Sequence, residues 1–600
     1  MALTAGQLEQ QKKQAEELLF SGPETLGFAK ALFFGHFRSD LVFPYPTLSL
    51  EAENAAREAV AKVKQFADEK IDPVAIDRQS DIPESVVRGL AELGVLGMTA
   101  PVEFGGLNFI QQQYCRIMEV IGAHCASTAV FVNAHHSIGV RALLLFGTPE
   151  QRAEWLPDLI AGKKLAAFAL TEPNAGSDAG GVQTRATPTE DGTAFILNGE
   201  KRYITNGGIA QVLTVMARTP APTKDNPNET KVTAFLVTPD MAGFEVLEAR
   251  ADKCGIRGTA TGKMRFTNMR VPKANILGQI NKGLRVALTV LDFGRTTFGA
   301  TCTGAAKFCV KKATQHAKNR VQFQQPIAEF ELVKKKIGHM AAHTFAMESM
   351  TTQCAAFIDR GADDYMLETA ILKVFATEHL WTIINDTIQI FGGQAYFTNE
   401  PYERMMRDAR INTIGEGAND VLKAFVAVVG SRAPGMILDR MRKKPVRNLF
   451  GLMGYGFKHL WKTSFSGGPS IPVQHDSLRS DAKRLAKRVQ KLGTSLPWVF
   501  LKCGTEAAFL QAQYLHERIA DITMDLYASS CVLSHLDHML LHPANAESGI
   551  SPAEYQGQIE AGRYFLKLAI RRMDQNFHSL WNHDDAATTA AANATLTRYA

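Results

Sequence analysis

The spacing of apolar residues changes character twice along the chain. From about residue 50 to 163 it is close to 3.6, as in EAENAAREAVAKVKQFADEKI, where charged and small apolar residues alternate as on an amphipathic helix. GLAELGVLGMTAPVEFGG follows and ends in glycines, a helix stop. From Lys164 the runs shorten to LAAFALT, AFILNGEKRYIT, VLTVMART, VTAFLVT, FEVLEA and KMRFTNMRVP, rich in β-branched and aromatic residues as strands are. Asn198-Gly199 predicts a hairpin turn, and TPAPTKDNPNETK a surface loop. Six such strands predict a small barrel or sandwich. After Pro272 the pattern is helical again to about Val429, with long helices starting near Lys282, Phe330 and Tyr365. Pro434 and a basic cluster mark a boundary, and the helical pattern resumes at His475. The tail DDAATTAAANATLTRYA reads as loosely ordered.

The expected fold is therefore multidomain α+β. Residues 1–49 form an N-terminal helix and a bracing segment containing FPYP, and 50–163 a helical domain. Residues 164–275 form the β-domain and 276–432 a second helical domain. A basic amphipathic linker, 433–474, leads to an extra C-terminal helical domain, 475–600.

Composition narrows the function classes. With 46% hydrophobic and 21% charged residues, the chain has the balance of a globular protein. No run of eighteen apolar residues predicts a membrane-spanning helix. The first twenty residues read as a short amphipathic helix with Glu9, Glu16 and Glu17, unlike a secretion signal or a transit peptide. The eight cysteines are scattered without a CxxC pair, so neither a disulfide framework nor a metal site is expected. A reducing, cytoplasmic setting fits better than a mitochondrial one. Net charge is +6, and Met441–Ser470 alone carries Arg442, Lys443, Lys444, Arg447, Lys458 and Lys462 with no acid. So local an asymmetry points to a surface patch and away from nucleic acid. Within it Leu449, Phe450, Met453, Phe457, Leu460 and Trp461 recur at three- and four-residue steps, the pattern of an interfacial helix. A peripheral membrane contact through 442–465 is expected on that ground, against packing on the C-terminal helices as the alternative.

The chemistry centres on Arg404–Val426, where Ile414-Gly415-Glu416-Gly417-Ala418 sets one carboxylate between two glycines. Val421, Leu422, Phe425 and Val426 follow at helical spacing, and Asn419 and Asp420 can open that helix. Glu416 thus sits on a tight loop that a substrate can approach closely, although GEG taken alone reads more simply as a solvent-exposed loop carboxylate. Two strand ends carry further candidates. Thr171–Asp178 offers hydroxyls, backbone N–H groups and a glycine, and Tyr203–Gly208 offers an aromatic ring for a flat ligand or for cross-strand packing. His135 and His136, in the apolar FVNAHHSIGVRALLLFG, read as packed structural residues because no acid or Cys stands at ligand spacing.

Taken together, LTEPNAGSD, KRYITNGG, DKCGIRGTATG, NRVQF, IQIFGGQAYFTNEPYERMMRDARI and GEGANDV resemble the acyl-CoA dehydrogenase family in order and spacing, over roughly residues 40–430. FFGHFRSDLVFPYP and the C-terminal extension are similar to the very-long-chain branch of that family. The resemblance implies a homodimer with FAD shared between subunits, and Glu416 as the base that removes the α-proton of a fatty acyl-CoA while FAD takes the β-hydrogen. Members that carry the base on the helix of LDFGRTT place it just before the Arg; that position here is Gly294, which has nothing to titrate.

By the same resemblance Phe168, Ala169, Leu170, Thr171, Glu172, Pro173, Asn174, Ala175, Gly176 and Ser177 would hold the flavin together with Tyr203, Ile204 and Thr205. Arg320 would reach the pyrophosphate, and Gln389, Gly392 and Gly393 the adenosine half across the dimer. Ala418, Asn419 and Asp420 would open a helix whose positive end faces the cofactor. Ser177, Asp292, Arg295, Gly415 and Gly417 would contact the substrate; without the resemblance, Asp292 and Arg295 read as a helix-surface ion pair. The chain departs from the family at Gly415, usually aromatic, at Ala418, usually Thr, and at Gln324, usually Gly. The implied activity is dehydrogenation of long or very-long-chain acyl-CoA, with electrons passing to an electron-transfer flavoprotein. An acyl-CoA oxidase and a non-catalytic assembly factor share the scaffold.

Overall fold

The computed structural model describes residues 26–442, 468–543 and 550–599. The expected helix in the first twenty-five residues and most of the basic amphipathic stretch lie outside them. Helix α1 (Leu50–Lys70) opens on Ser49, whose Oγ accepts from the Ala52 N–H at 3.2 Å. It packs on α2 (Gln111–His124), and Val63 and Ala67 meet Ile117, Met118 and Ile121 in one core. Helix α3 (Ala126–Val132) continues through a π-helical stretch, Asn133–Val140, into Arg141–Phe146. By length and composition that run could cross a membrane, but 67% of it is buried within the protein, as in a core helix. His135 and His136 are buried inside it. The His135 Nδ1 accepts from the Ala166 N–H, and His136 Nε2 meets Thr99 Oγ1 at 3.0 Å.

The β-domain is one sheet of eight strands: β1 (Ala166–Ala169), β2 (Arg185–Pro188), β3 (Ala194–Thr205), β4 (Val212–Pro220), β5 (Thr230–Val237), β6 (Phe244–Glu248), β7 (Thr261–Pro272) and β8 (Ile276–Leu277). Its order is β6-β7-β3-β2-β4-β5-β8, with β1 parallel to β4. β2 and β8 were not among the expected strands, being only four and two residues long. The hairpin expected at Asn198-Gly199 is instead a bulge within β3, where pairing with β7 slips between Leu197 and Gly199. Glycine suits it because a Cβ there would lie 2.7 Å from Thr184 Cα, while Asn198 Oδ1 binds the strand onward through the Asn268 N–H at 2.8 Å.

The long helices start where the pattern placed them: α4 (Gly283–Asn319), α5 (Glu331–Asp359) and α6 (Met366–Phe391). α4 packs against α2, α5 and α6, and α6 against α7 (Asn419–Arg442). α7 runs through Pro434, where a boundary was expected; the lost N–H weakens one turn without ending the helix. The extra helices α8 (Arg479–Cys503), α9 (Gln513–Leu541) and α10 (Pro552–Ser579) are no separate body. α9 lies on α7 and α5, α10 lies on α5, and Phe345, Leu536 and Phe565 share one core. The tail expected to be loose forms α11 (Asp585–Arg598), with no buried residue. Its alanines favour helix without packing, and Arg518 ties its start through Asp585 at 3.0 Å.

Candidate active site

The Ile414–Ala418 loop hangs between a short turn, Ile411–Thr413, and the start of α7. Glu416 has φ +57° and Gly417 φ +101°. A non-glycine residue in the left-handed region stores strain of about 1–3 kcal/mol, a cost usually found at working sites. The loop is pinned from below. The fully buried Lys373 of α6 donates to the Gly417 carbonyl at 2.7 Å and to Asn419 Oδ1 at 2.8 Å, and Asn419 Nδ2 donates to Thr377 Oγ1 at 3.0 Å. Asn419 therefore starts α7 as expected, but its amide is spent on α6.

Asn133, the first residue of the π-helical stretch, donates through Nδ2 to Glu416 Oε1 at 2.9 Å. The other oxygen, Oε2, is buried without a partner. It lies beside Gly294 of α4, where an added Cβ would approach it to 3.2 Å. The two positions at which the resemblance places a base thus converge on one point in space. Burial pushes the Glu416 carboxyl up to about 7, against the charges of Lys373 and Arg295 and the Asn133 bond, which pull it down. Burial also lowers Lys373 to about 8, with the Glu416 charge opposing. A carboxylate that titrates near neutrality, with one oxygen held and one open, is equipped to act as a general base.

Asp292 and Arg295 are not on a helix surface. Both are buried, paired at 3.4 Å, and Asp292 accepts a further bond from Thr369 Oγ1 at 2.9 Å. Burial raises Asp292 to about 6, with Arg295 opposing.

The two strand ends lie close by. β1 packs against the π-helical stretch, and Asn206, just past β3, donates to the Phe131 carbonyl of α3 at 3.3 Å. Phe168 and Ala169 belong to β1; beyond Leu170 and Thr171, Pro173, Asn174, Gly176 and Ser177 are exposed, whereas Ala175 is buried. Glu172 turns inward, bonding Lys201 Nζ at 2.6 Å and Thr184 Oγ1 at 2.6 Å. Tyr203 stands at a second bulge of β3 with φ +60°, 61% exposed, under the Arg202 guanidinium at 4.1 Å; it is not packed across strands. Ile204 is buried and Thr205 half-buried.

Arg320, Gln389, Gly392 and Gly393 form a different group. They lie at the C-terminal ends of α4 and α6, where His316 stacks on Phe391 at 4.1 Å. Along α4, Arg320 stands roughly 35–40 Å from Gly294, so a single chain does not bring this group to Glu416. Asn133 and Lys373 were absent from the sequence expectations. Lys373 is a lone polar residue in the apolar helical run AILKVFA, whereas Asn133 shares its run, FVNAHH, with two histidines, so only the lysine carried a local signal.

Three family models match the sequence: acyl-CoA dehydrogenase, N-terminal domain, over residues 53–163; middle domain, over 167–269; and C-terminal domain, over 281–429. The very long-chain specific acyl-CoA dehydrogenase, mitochondrial, of Macaca fascicularis is 36% identical over 525 residues, 86% of this chain and 80% of that protein. The probable acyl-CoA dehydrogenase FadE10 of Mycobacterium tuberculosis is 34% identical over 609 residues, 98% of this chain and 91% of that one. Among solved structures, an acyl-CoA dehydrogenase complexed with FAD from Bacillus anthracis aligns with a TM-score of 0.75 and 27% identity, covering 94% of each chain.

Proposed function

We propose the following activity on the premise that this chain belongs to the acyl-CoA dehydrogenase family, oxidoreductases that act on the CH–CH group of acyl-CoA. The substrate is a long or very-long-chain fatty acyl-CoA, the product its trans-2-enoyl-CoA, the cofactor FAD, and the electron acceptor an electron-transfer flavoprotein. The observation that carries this reading is Glu416: strained, raised to about 7, with Oε2 open.

The residues present fit FAD. Asn206 Oδ1 and Glu416 Oε2 are both buried without partners, while the other polar atom of each side chain bonds one helical run, at Phe131 and at Asn133. Polar atoms buried unmet are costly and are normally satisfied, so a polar ligand at this seam is the economical account. Tyr203 and the Thr171–Ser177 loop would hold the ring system from the sheet side. When bound, FAD supplies the two-electron acceptor for the β-hydrogen.

Glu416 Oε2 takes the α-proton. That proton is far too weakly acidic for a carboxylate in water, so two aids are needed. Burial makes the carboxylate a stronger base. The Glu416 backbone N–H, with Gly417 leaving room beside it, would donate to the thioester oxygen and stabilise its developing charge. Lys373 holds the loop carbonyl fixed while this happens.

Arg320, Gln389, Gly392 and Gly393 would act on the cofactor of a second subunit. Around them Phe323, Tyr396 and Phe397 are 87%, 80% and 65% exposed, which supports a homodimer covering that end. A membrane contact through 442–465 would bring the enzyme to a substrate that partitions into lipid. Anaerobic addition of palmitoyl-CoA should bleach the flavin absorbance of the purified protein; no bleaching would refute the activity. Faster reoxidation by air than by an electron-transfer flavoprotein would assign an oxidase instead.

A further inference from the structure

We infer that Asn133 is a positioning residue for the base, holding Glu416 Oε1 so that Oε2 alone is presented for the proton. The inference rests on the proposed role of Glu416 and adds a residue that the motifs did not mark. Asn133 is 2% exposed in an apolar helical run between Val132 and Ala134, a costly place for an amide. Its bond to Glu416 at 2.9 Å spans 283 positions of sequence, and its own Oδ1 has no partner. It also begins the π-helical stretch, a widening of the helix that recurs at functional sites because it re-aims side chains. An amide carries both a donor and an acceptor, so the same side chain can hold the carboxylate and, after rotation, the protonated acid.

The charged and titratable groups that face Glu416 are few. Lys373 comes from α6, and Arg295 and the Cys302 thiol from α4. Asp292 is paired with Arg295, and Glu378, itself paired with Lys423 at 3.3 Å, reaches Lys373 through its charge alone. Both cations are committed elsewhere: Lys373 to Gly417 and Asn419, Arg295 to Asp292. Among the described residues, the one hydrogen bond on the Glu416 carboxylate comes from Asn133. A donor to a carboxylate favours its ionised form, so losing it makes the acid harder to ionise.

The test uses the holoenzyme with palmitoyl-CoA and two variants, Asn133→Ala and Asn133→Leu, the second filling the apolar surroundings should alanine fail to fold. Three quantities are read: flavin content, the pH profile of flavin bleaching, and the infrared carboxyl band assigned to Glu416 by its loss in Glu416→Gln. Both variants should retain flavin. The acid limb of the bleaching profile and the infrared midpoint should move together to higher pH by about one unit, the size expected for a bond to a charged group. At pH 6 bleaching should fall roughly tenfold more than at pH 9, since Glu416 ionises at the higher pH in either protein. A limb and midpoint that stay put while the rate falls equally at every pH would reduce Asn133 to packing and overturn the inference. If Glu416→Gln bleaches normally, the base assignment fails instead, and that outcome is distinct.

Discussion

At the residue scale the proposed chemistry rests on one carboxylate, and its environment sets a testable sign. Glu416 must be ionised to accept a proton. With its pKa at about 7, activity should rise with pH through neutrality and be lost as the acid protonates below it. Glu416→Gln keeps the shape and the loop but has no base; turnover should drop by about 10²–10⁴-fold or more, with FAD retained. Normal flavin bleaching by this variant would remove the assignment. Tyr203 offers a second check. An exposed aromatic ring at a strained position has little structural reason to be there. Tyr203→Ala should weaken FAD retention and shift the flavin spectrum, and an unchanged spectrum at full occupancy would mean that the ring does not touch the cofactor. Glu416 stood out in the sequence through the resemblance carried by the rest of the chain, since a glutamate between two glycines reads by itself as an exposed loop residue. Asn133 and Lys373 did not, because nothing local tells a polar residue buried for a purpose from one turned to solvent. Only the fold brings positions 133, 373 and 416 together.

Elements read from the apolar period were found close to their expected starts: Gly283, Glu331 and Met366 each follow the expected residue by one. The misread hairpin has a clear cause. Asn198-Gly199 has hairpin composition, but the flanking residues pair on with β7, and long-range pairing overrode turn propensity. The opposite case is the ribbon of Val321–Gln322 with Gln325–Pro326, where Phe323 (φ +51°) and Gln324 (φ +67°) form a two-residue turn. Such turns want left-handed residues, so glycine belongs there and glutamine is strained. Gln324→Gly should stabilise the protein by about 1 kcal/mol in denaturant unfolding; no gain would mean that the turn relaxes at no cost. The loop after β1 depends on a buried pair instead. Lys201 and Glu172 are 0% and 3% exposed at the side chain and 2.6 Å apart. Lys201→Met strands the carboxylate and should cost about 3–5 kcal/mol. A loss below about 1 kcal/mol would show that the bonds Glu172 accepts from Thr184 Oγ1 and from the Gln183 N–H, both at 2.6 Å, suffice to hold it.

For the whole molecule, the question is what the C-terminal helices are for. They share the hydrophobic core of the dehydrogenase body, so they are no tethered appendage. α7 reaches Arg442 beside them, with Gly435 against Phe500 of α8, and Trp498 and Leu501 of that helix are 59% and 46% exposed. From Arg442 the sequence turns basic and apolar, holding all six charges of its window without an acid. Each cation near an anionic surface contributes about 1 kcal/mol, so six of them with partial burial of Phe457 and Trp461 would give reversible docking. Electrostatic attraction of this kind is screened by salt. The wild type should therefore float with anionic liposomes at low ionic strength and be released as salt rises. A Phe457→Glu, Trp461→Glu variant should stay in the soluble fraction throughout while still bleaching with palmitoyl-CoA. If both proteins stay soluble at low salt, the apolar stripe packs within the protein and the membrane reading is lost, with the chemistry proposed at Glu416 untouched.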